Sequence, residues 1–316
     1  MSRVVPIVAF MALCTGAALV PAHASEGALG RPITGVQGTN FAGVVPPTPG
    51  FNLSVQYIHY GGSLGAAREV PIGGSTAIGL DLTAQLLAFT GVYVWPTGEG
   101  RWNYATAMAV PFADMDAAAS LRLGRFGGST SDSDSGLFDM TFVPVIASRH
   151  FSQVEHMSLA LYVYAPTGSY DPDRLANLGL NTWTFSPTVG YTHLYSKGEV
   201  EFSTLAAVDI YTKNDATDYQ NGAVFRIDGL WMRRFPNGWG LGAAGGWIEQ
   251  IEDDTGPTAD RLNGFRGHSM SVGPLATYAK KWEGGQVEFS ARWLYEFNVK
   301  NRFEGHPIMV TATIQF

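Results

Sequence analysis

Long stretches of this chain alternate between apolar and polar residues with a period of two. From Gln286 to Asn298 the odd positions are Val287, Phe289, Ala291, Trp293, Tyr295 and Phe297, and the even ones are polar except Leu294. A period of two places alternate side chains on opposite faces of a strand. The same pattern recurs at 156–163, 182–195 and 200–210. These segments run to about 10–15 residues, against about 5–6 in soluble sheets, and a tilted strand crosses a bilayer in about 9–11. Trp95, Trp102, Trp183, Tyr195, Trp231, Trp239, Trp247 and Trp293 lie near the ends of apolar stripes, as aromatic girdles do at membrane interfaces. Tight connections (96–100, 196–198, 236–238, 283–285) alternate with long polar ones (61–77, 126–136, 166–180, 212–221, 251–265, 299–306).

The fold class is therefore all-β, a transmembrane antiparallel β-barrel of about 12 strands. The expected strands are 50–60, 78–95, 102–125, 137–149, 154–165, 181–195, 198–211, 222–235, 238–250, 266–282, 285–299 and 306–316. Pro111 and Asp114-Met115-Asp116 interrupt the third, which reads as one strand because an even count keeps both termini on one side. Composition agrees. Only 15% of residues are charged, against roughly 25% in soluble domains. Yet the mean hydropathy of +0.03 is too low for a helical membrane protein, and no run of 18 apolar residues follows residue 24. The net charge of −7 and the lack of a basic stripe speak against nucleic acid as a partner.

Residues 1–24 read as a signal peptide: Arg3, an apolar core from Val4 to Val20, and Ala22-His23-Ala24 as an A-x-A cleavage site. Cleavage there removes Cys14, the sole cysteine, and with it any disulfide or thiolate chemistry. Residues 25–49 are expected to form a periplasmic N-terminal arm or short plug, and 50–316 the outer-membrane barrel of a Gram-negative cell. Outer-membrane lipid and lipopolysaccharide are the expected surroundings. The last strand alternates Ile308, Val310, Ala312, Ile314 and Phe316 with polar residues. Ile314 and the terminal Phe316 make the ending resemble the signal read by the barrel-assembly machinery.

Strand parity turns nine polar or charged side chains inward: Asp139, His156, Glu201, Asp209, Arg226, Asp228, Glu288, Arg292 and Glu296. Unpaired charges in a dry interior are costly. They imply either a water-filled, solute-selecting lumen or paired networks, such as Arg292 with Glu288 or Glu296. Gly240-Leu241-Gly242-Ala243-Ala244-Gly245 matches the dinucleotide pattern G-x-G-x-x-G, but it falls inside a strand instead of between a strand and a helix. Its glycines more simply leave room inside the barrel. Asp132-Ser133-Asp134-Ser135-Gly136 has half of a calcium loop and reads as a solvated loop. The histidines have no metal-ligand spacing, and no cofactor is implied. Ser158 and His156 share the inward face, the one pair a hydrolase reading can invoke.

Several stretches resemble a known family. They are 46–51 (PPTPGF), 135–139 (SGLFD) with Val143-Pro144, 166–171 (PTGSYD), 177–183 (NLGLNTW), 214–222 (NDATDYQNG), 245–250 (GGWIEQ) and 253–256 (DDTG). Together they resemble the MetA-pathway-of-phenol-degradation family, which includes SphA-like outer-membrane transporters and is distantly similar to FadL. The resemblance implies movement of small aromatic or hydrophobic solutes across the outer membrane. Residues 25–49 contain no Asn-Pro-Ala motif, so the FadL type of gate does not carry over. The expected function is passive uptake of such compounds. The alternatives are a structural or adhesive barrel with a blocked lumen and, third, an outer-membrane hydrolase.

Overall fold

A computed structural model describes residues 30–72, 75–98, 100–123 and 126–316; the expected signal peptide lies outside them. The strands are β1 (Gly50–Ile72), β2 (Ser75–Val94), β3 (Trp102–Leu123), β4 (Phe126–Leu137), β5 (Thr141–His150), β6 (Glu155–Tyr164), β7 (Thr184–Tyr195), β8 (Val200–Tyr211), β9 (Val224–Arg234), β10 (Trp239–Gln250), β11 (His268–Trp282), β12 (Gly285–Trp293), β13 (Tyr295–Lys300), β14 (Glu304–Gly305) and β15 (Ile308–Gln315). Every neighbour is antiparallel. The order runs from β10 through β9, β8, β7, β6, β5, β3, β2, β1, β15 and β12 to β11, and β11 pairs back onto β10. The sheet is closed. With no water in the hydrocarbon to satisfy a free edge, closure is the condition for a sheet to span a membrane.

Fifteen segments make twelve barrel strands because three staves are broken, each at or opposite a proline. Pro111 offers β3 no N–H; β4 and β5 meet opposite it with a one-residue register shift, and Phe138 N donates to Pro111 O at 2.9 Å. Pro274 on β11 stands in the stretch across from the gap at Leu294, between β12 and β13. Pro307 separates β14 from β15. Proline removes a ladder donor, so it belongs at a bulge or an edge. β3 itself stays continuous through Pro111.

The long connections 61–77 and 126–136 were expected to be loops. Instead β1 continues to Ile72 and pairs with β2, and β4 pairs with β3 over its whole length. These hairpins carry the ladder past the lipid-facing band. The glycine-rich 61–77 and the alternation of Ser with Asp at 131–135 give no apolar stripe, so periodicity reads them as loop. Arg174 holds β4 in place from the loop between β6 and β7. Its guanidinium donates to Asp132 (2.9 and 3.1 Å) and pairs with Asp134 (3.3 Å). The half-calcium motif is thus a strand with a cation already beside it.

Outward positions are exposed and apolar: Phe89, Leu159, Val189, Ile210, Leu241 and Val272 are each 41–54% exposed. Aromatics ring both ends, with Tyr93, Trp102, Tyr195 and Trp239 at the short-turn end and Trp183, Trp247 and Tyr295 at the long-loop end. This is the exterior of a Gram-negative outer-membrane barrel. Val189 sits mid-strand on β7, and Val189→Arg should destabilise the barrel by about 2–4 kcal/mol, while Val189→Leu should not. Urea unfolding in lipid vesicles measures the difference.

Candidate functional site

The lumen is not empty. Residues 30–49 run inside it from one end to the other before joining β1. Arg31 lies at the long-loop end, where its backbone N–H donates to the Tyr211 hydroxyl at 3.1 Å. Val45 packs against Val94 and Ala105 at the short-turn end. This arm makes few backbone hydrogen bonds of its own, yet buried N–H and C=O groups must be satisfied. Inward side chains of the wall do it.

The pairing proceeds residue by residue. Thr34 O accepts from Ser271 Oγ at 2.9 Å. Gly35 N donates to Asp228 Oδ1 at 2.6 Å, and Gly35 O accepts from Arg292 Nη1 at 3.1 Å. Phe41 N donates to Glu201 Oε1 at 2.6 Å. Ala42 O accepts from Ser158 Oγ at 2.7 Å, and Gly43 O from Ser148 Oγ at 2.8 Å. Gly43 N donates to Thr192 Oγ1 at 3.0 Å. Such close approach needs glycine on both sides. Gly35 has φ +81°, and a Cβ on Gly246 would stand 2.5 Å from Gly35 N. A Cβ on Gly190 would stand 2.2 Å from Ala42 O. Gly246 follows directly on the G-x-G-x-x-G run, and its neighbour is protein backbone, not a pyrophosphate.

All nine inward candidates from the sequence lie on the inner face, eight of them buried and Glu288 half-buried. They fall into separate groups. Asp139, in the gap between β4 and β5, pairs with Arg31 and accepts from Gly168 N (2.8 Å) and Leu180 N (3.0 Å). Arg226 lies 3.3 Å from Asp209 and 3.7 Å from Asp228. Arg234 bridges Glu201 (2.6 Å) and Glu288 (3.3 Å) and covers the Phe41 ring, 4.4 Å from its centroid. Asn40 donates to Glu288. Glu296 accepts from Tyr60 Oη and Gly305 N, both at 2.9 Å.

Two expectations change. Arg292 pairs with neither Glu288 nor Glu296 but caps the Gly35 carbonyl. The arm, absent from a strand-by-strand reading, is the stronger claimant. Ser158 is likewise committed to Ala42 O, and His156 meets His150, Nδ1 to Nδ1, at 2.6 Å; a serine–histidine dyad is not formed. Sequence reasoning passed over Arg31 and Arg234. Arg234 shares the inward parity of Arg226 and Asp228 and was open to detection. Arg31 sits in an irregular segment with no parity to read.

At the long-loop end a pocket of about 90 Å³ lies beside the arm. Ile33, Leu82, Leu86, Met115, Phe138 and Phe303 supply its apolar walls, and Arg31, Glu296 and Arg302 its polar edge. The outer loops lock over this end. Asp254, 3% exposed, accepts from Tyr219 Oη, Gly222 N (2.8 Å) and Gln250 Nε2 (2.6 Å). Burial pushes its carboxyl up to about 6, against the pull of those three donors.

The family described as the MetA-pathway of phenol degradation matches residues 67–312. No curated protein matches. Among solved structures, an outer membrane channel from Pseudomonas putida F1 is similar at TM-score 0.67 and 15% identity, over 87% of this chain and 98% of that one. A FadL homologue from Pseudomonas aeruginosa follows at TM-score 0.42 and 10% identity, covering 84% and 88%. The CymD monoaromatic hydrocarbon channel stands at 0.43 and 7%, with the same coverage.

Arg234→Ala strands Glu201 and Glu288 without their cation and should cost on the order of 3 kcal/mol. Adding Glu201→Gln should recover much of it, since the buried charge then goes too. Urea unfolding of the single and double variants measures both. Asp254 gives a pH dependence. Between roughly pH 4 and 6 the folded carboxyl keeps a proton that the unfolded one has lost. Stability of the latch is therefore full below about pH 4 and declines as pH rises through 6. Hydrogen exchange across 212–223 and 251–267 should quicken over that range, beyond its intrinsic rise, and Asp254→Asn should remove the excess.

Proposed function

Because this chain belongs to the MetA-pathway of phenol degradation family, we propose that it is an outer-membrane channel for passive uptake of small aromatic or otherwise hydrophobic compounds, with residues 30–49 as its plug. The observation that carries this reading is the pocket at the long-loop end, apolar over most of its wall and lined on one side by Ile33 of the arm. The fold shared with the Pseudomonas putida F1 channel supports a channel role. Facilitated diffusion asks nothing of the protein but a path and a site. The nine inward residues then serve as lumen lining that holds the plug, and the outward Ile314 and Phe316 as the assembly signal.

Size decides how the pocket is used. A cavity of about 150 Å³ is known to take one benzene ring; 90 Å³ is less. A ring enters only if Ile33 gives way, so the outer half of the arm moves during transport. One specific observation favours the blocked structural barrel instead, namely that the arm occupies the lumen along its length. Flux separates the two. Liposomes bearing the protein should take up phenol or a neutral substituted benzene faster than empty ones, and Ile33→Ala should raise uptake several-fold. A disulfide made with Asn40→Cys and Glu288→Cys should slow uptake less than one made nearer Ile33. Uptake no faster than in empty liposomes for all variants would leave the blocked barrel.

A further inference from the structure

The short-turn rim carries a charge pattern that the lumen does not explain. Arg101, Arg149, Lys197, Arg233, Lys280 and Lys281 lie there, against Glu155, Glu199 and Glu283 among the described residues. Asp81, Asp114 and Asp116 stand exposed on β2 and β3 toward the opposite end. Within the rim some charges are spoken for. Arg233 faces Glu199 at 3.7 Å. Glu155 accepts from the Tyr191 hydroxyl at 3.0 Å.

The sector where β3 meets β5 differs in holding an arginine between two aromatic rings. Trp102 and Arg149 are register partners. The Arg149 guanidinium lies 5.7 Å from the Trp102 ring centroid and 5.0 Å from that of Phe151. Both rings are exposed to the outside, at 38% and 41%. Arg101 precedes Trp102 in the chain, with its side chain exposed and its backbone carbonyl accepting from His150 N at 2.8 Å. Among the described residues no carboxylate lies within ion-pair reach of Arg149. Trp and Tyr belts mark the headgroup level of a membrane. A cation held over aromatic faces keeps its planar fork open toward an oxyanion.

We infer that Arg149, clamped between Trp102 and Phe151 with Arg101 adjacent, binds the headgroup phosphate of an anionic phospholipid in the inner leaflet. The acyl chains lie along the apolar outer faces of β3 and β5, past Phe142 and Met108, which are 47% and 44% exposed. Lysine in place of Arg149 keeps the charge but loses the fork and weakens the site.

The test is native mass spectrometry of the full-length barrel from micelles holding equal amounts of phosphatidylglycerol and phosphatidylcholine. Wild type should retain phosphatidylglycerol at least about fivefold over phosphatidylcholine, since each basic residue at such a surface contributes about that factor. Arg101→Gln with Arg149→Gln should bring the ratio near one, and Arg149→Lys should fall between. The wild-type preference should also shrink as salt rises. Equal retention of both lipids by wild type overturns the assignment. So does an unchanged preference in a double variant that still folds, as judged by heat-modifiable mobility. Should the double variant not fold, Arg149→Lys and the salt series decide, and a preference indifferent to both is equally fatal. Displacement of the lipid by millimolar inorganic phosphate would mean that the site reads free phosphate instead.

Discussion

A buried irregular segment without a sheet partner is the constraint on which the interior depends. The arm brings a C=O per residue, and an N–H at every residue but its prolines, into a space that the closed ladder has already shut off from water. Each group left unmet costs about 1–3 kcal/mol. The wall answers with Asp228, Glu201, Ser148, Ser158, Thr192, Ser271 and Arg292, each placed on the inner face by the parity of its strand. The polar face of the barrel is thus the complement of a particular backbone, more than a generic wet lining.

Charge balance follows from the same packing. Glu201 accepts from the arm and so needs a cation, which Arg234 supplies while its plane covers Phe41. Asp228 accepts from Gly35 and shares Arg226 with Asp209. Side chains that fix the arm are fixed in turn by their neighbours on the wall. The interruptions at Pro111, Pro274 and Pro307 belong to this economy too. The break at Pro111 frees Asp139 from the ladder, so that its carboxylate collects Arg31 and two loop amides.

The barrel itself was legible because a period of two survives everything local. Gln286 to Asn298 announces its faces without reference to any other segment, and the continuous β3 followed from parity of the strand count. The hairpins 61–77 and 126–136 were not legible. Beyond the lipid there is no apolar stripe to read, and Ser-Asp alternation looks like loop. The lumen candidates illustrate a different limit. Parity tells which side Arg292 faces, not what it meets there, and Gly35 contributes only a backbone carbonyl to that contact. Arg31 and Ile33 carry no signal, because an irregular arm has no period.

The arm is joined to β1 by a single peptide bond and so never leaves the vicinity of the sites it fills. For such a tethered segment the effective concentration is on the order of millimolar. It does not fall when the protein is dilute, and it does not rise when the membrane is crowded. Any solute that takes the place of Ile33 therefore competes against a constant internal rival. A compound present at micromolar levels outside must bind its place about a thousandfold better than the side chain it displaces, or else dislodge only the few residues nearest the long-loop end. Under the proposed uptake, the arm would set a concentration threshold for entry that belongs to the covalent chain itself.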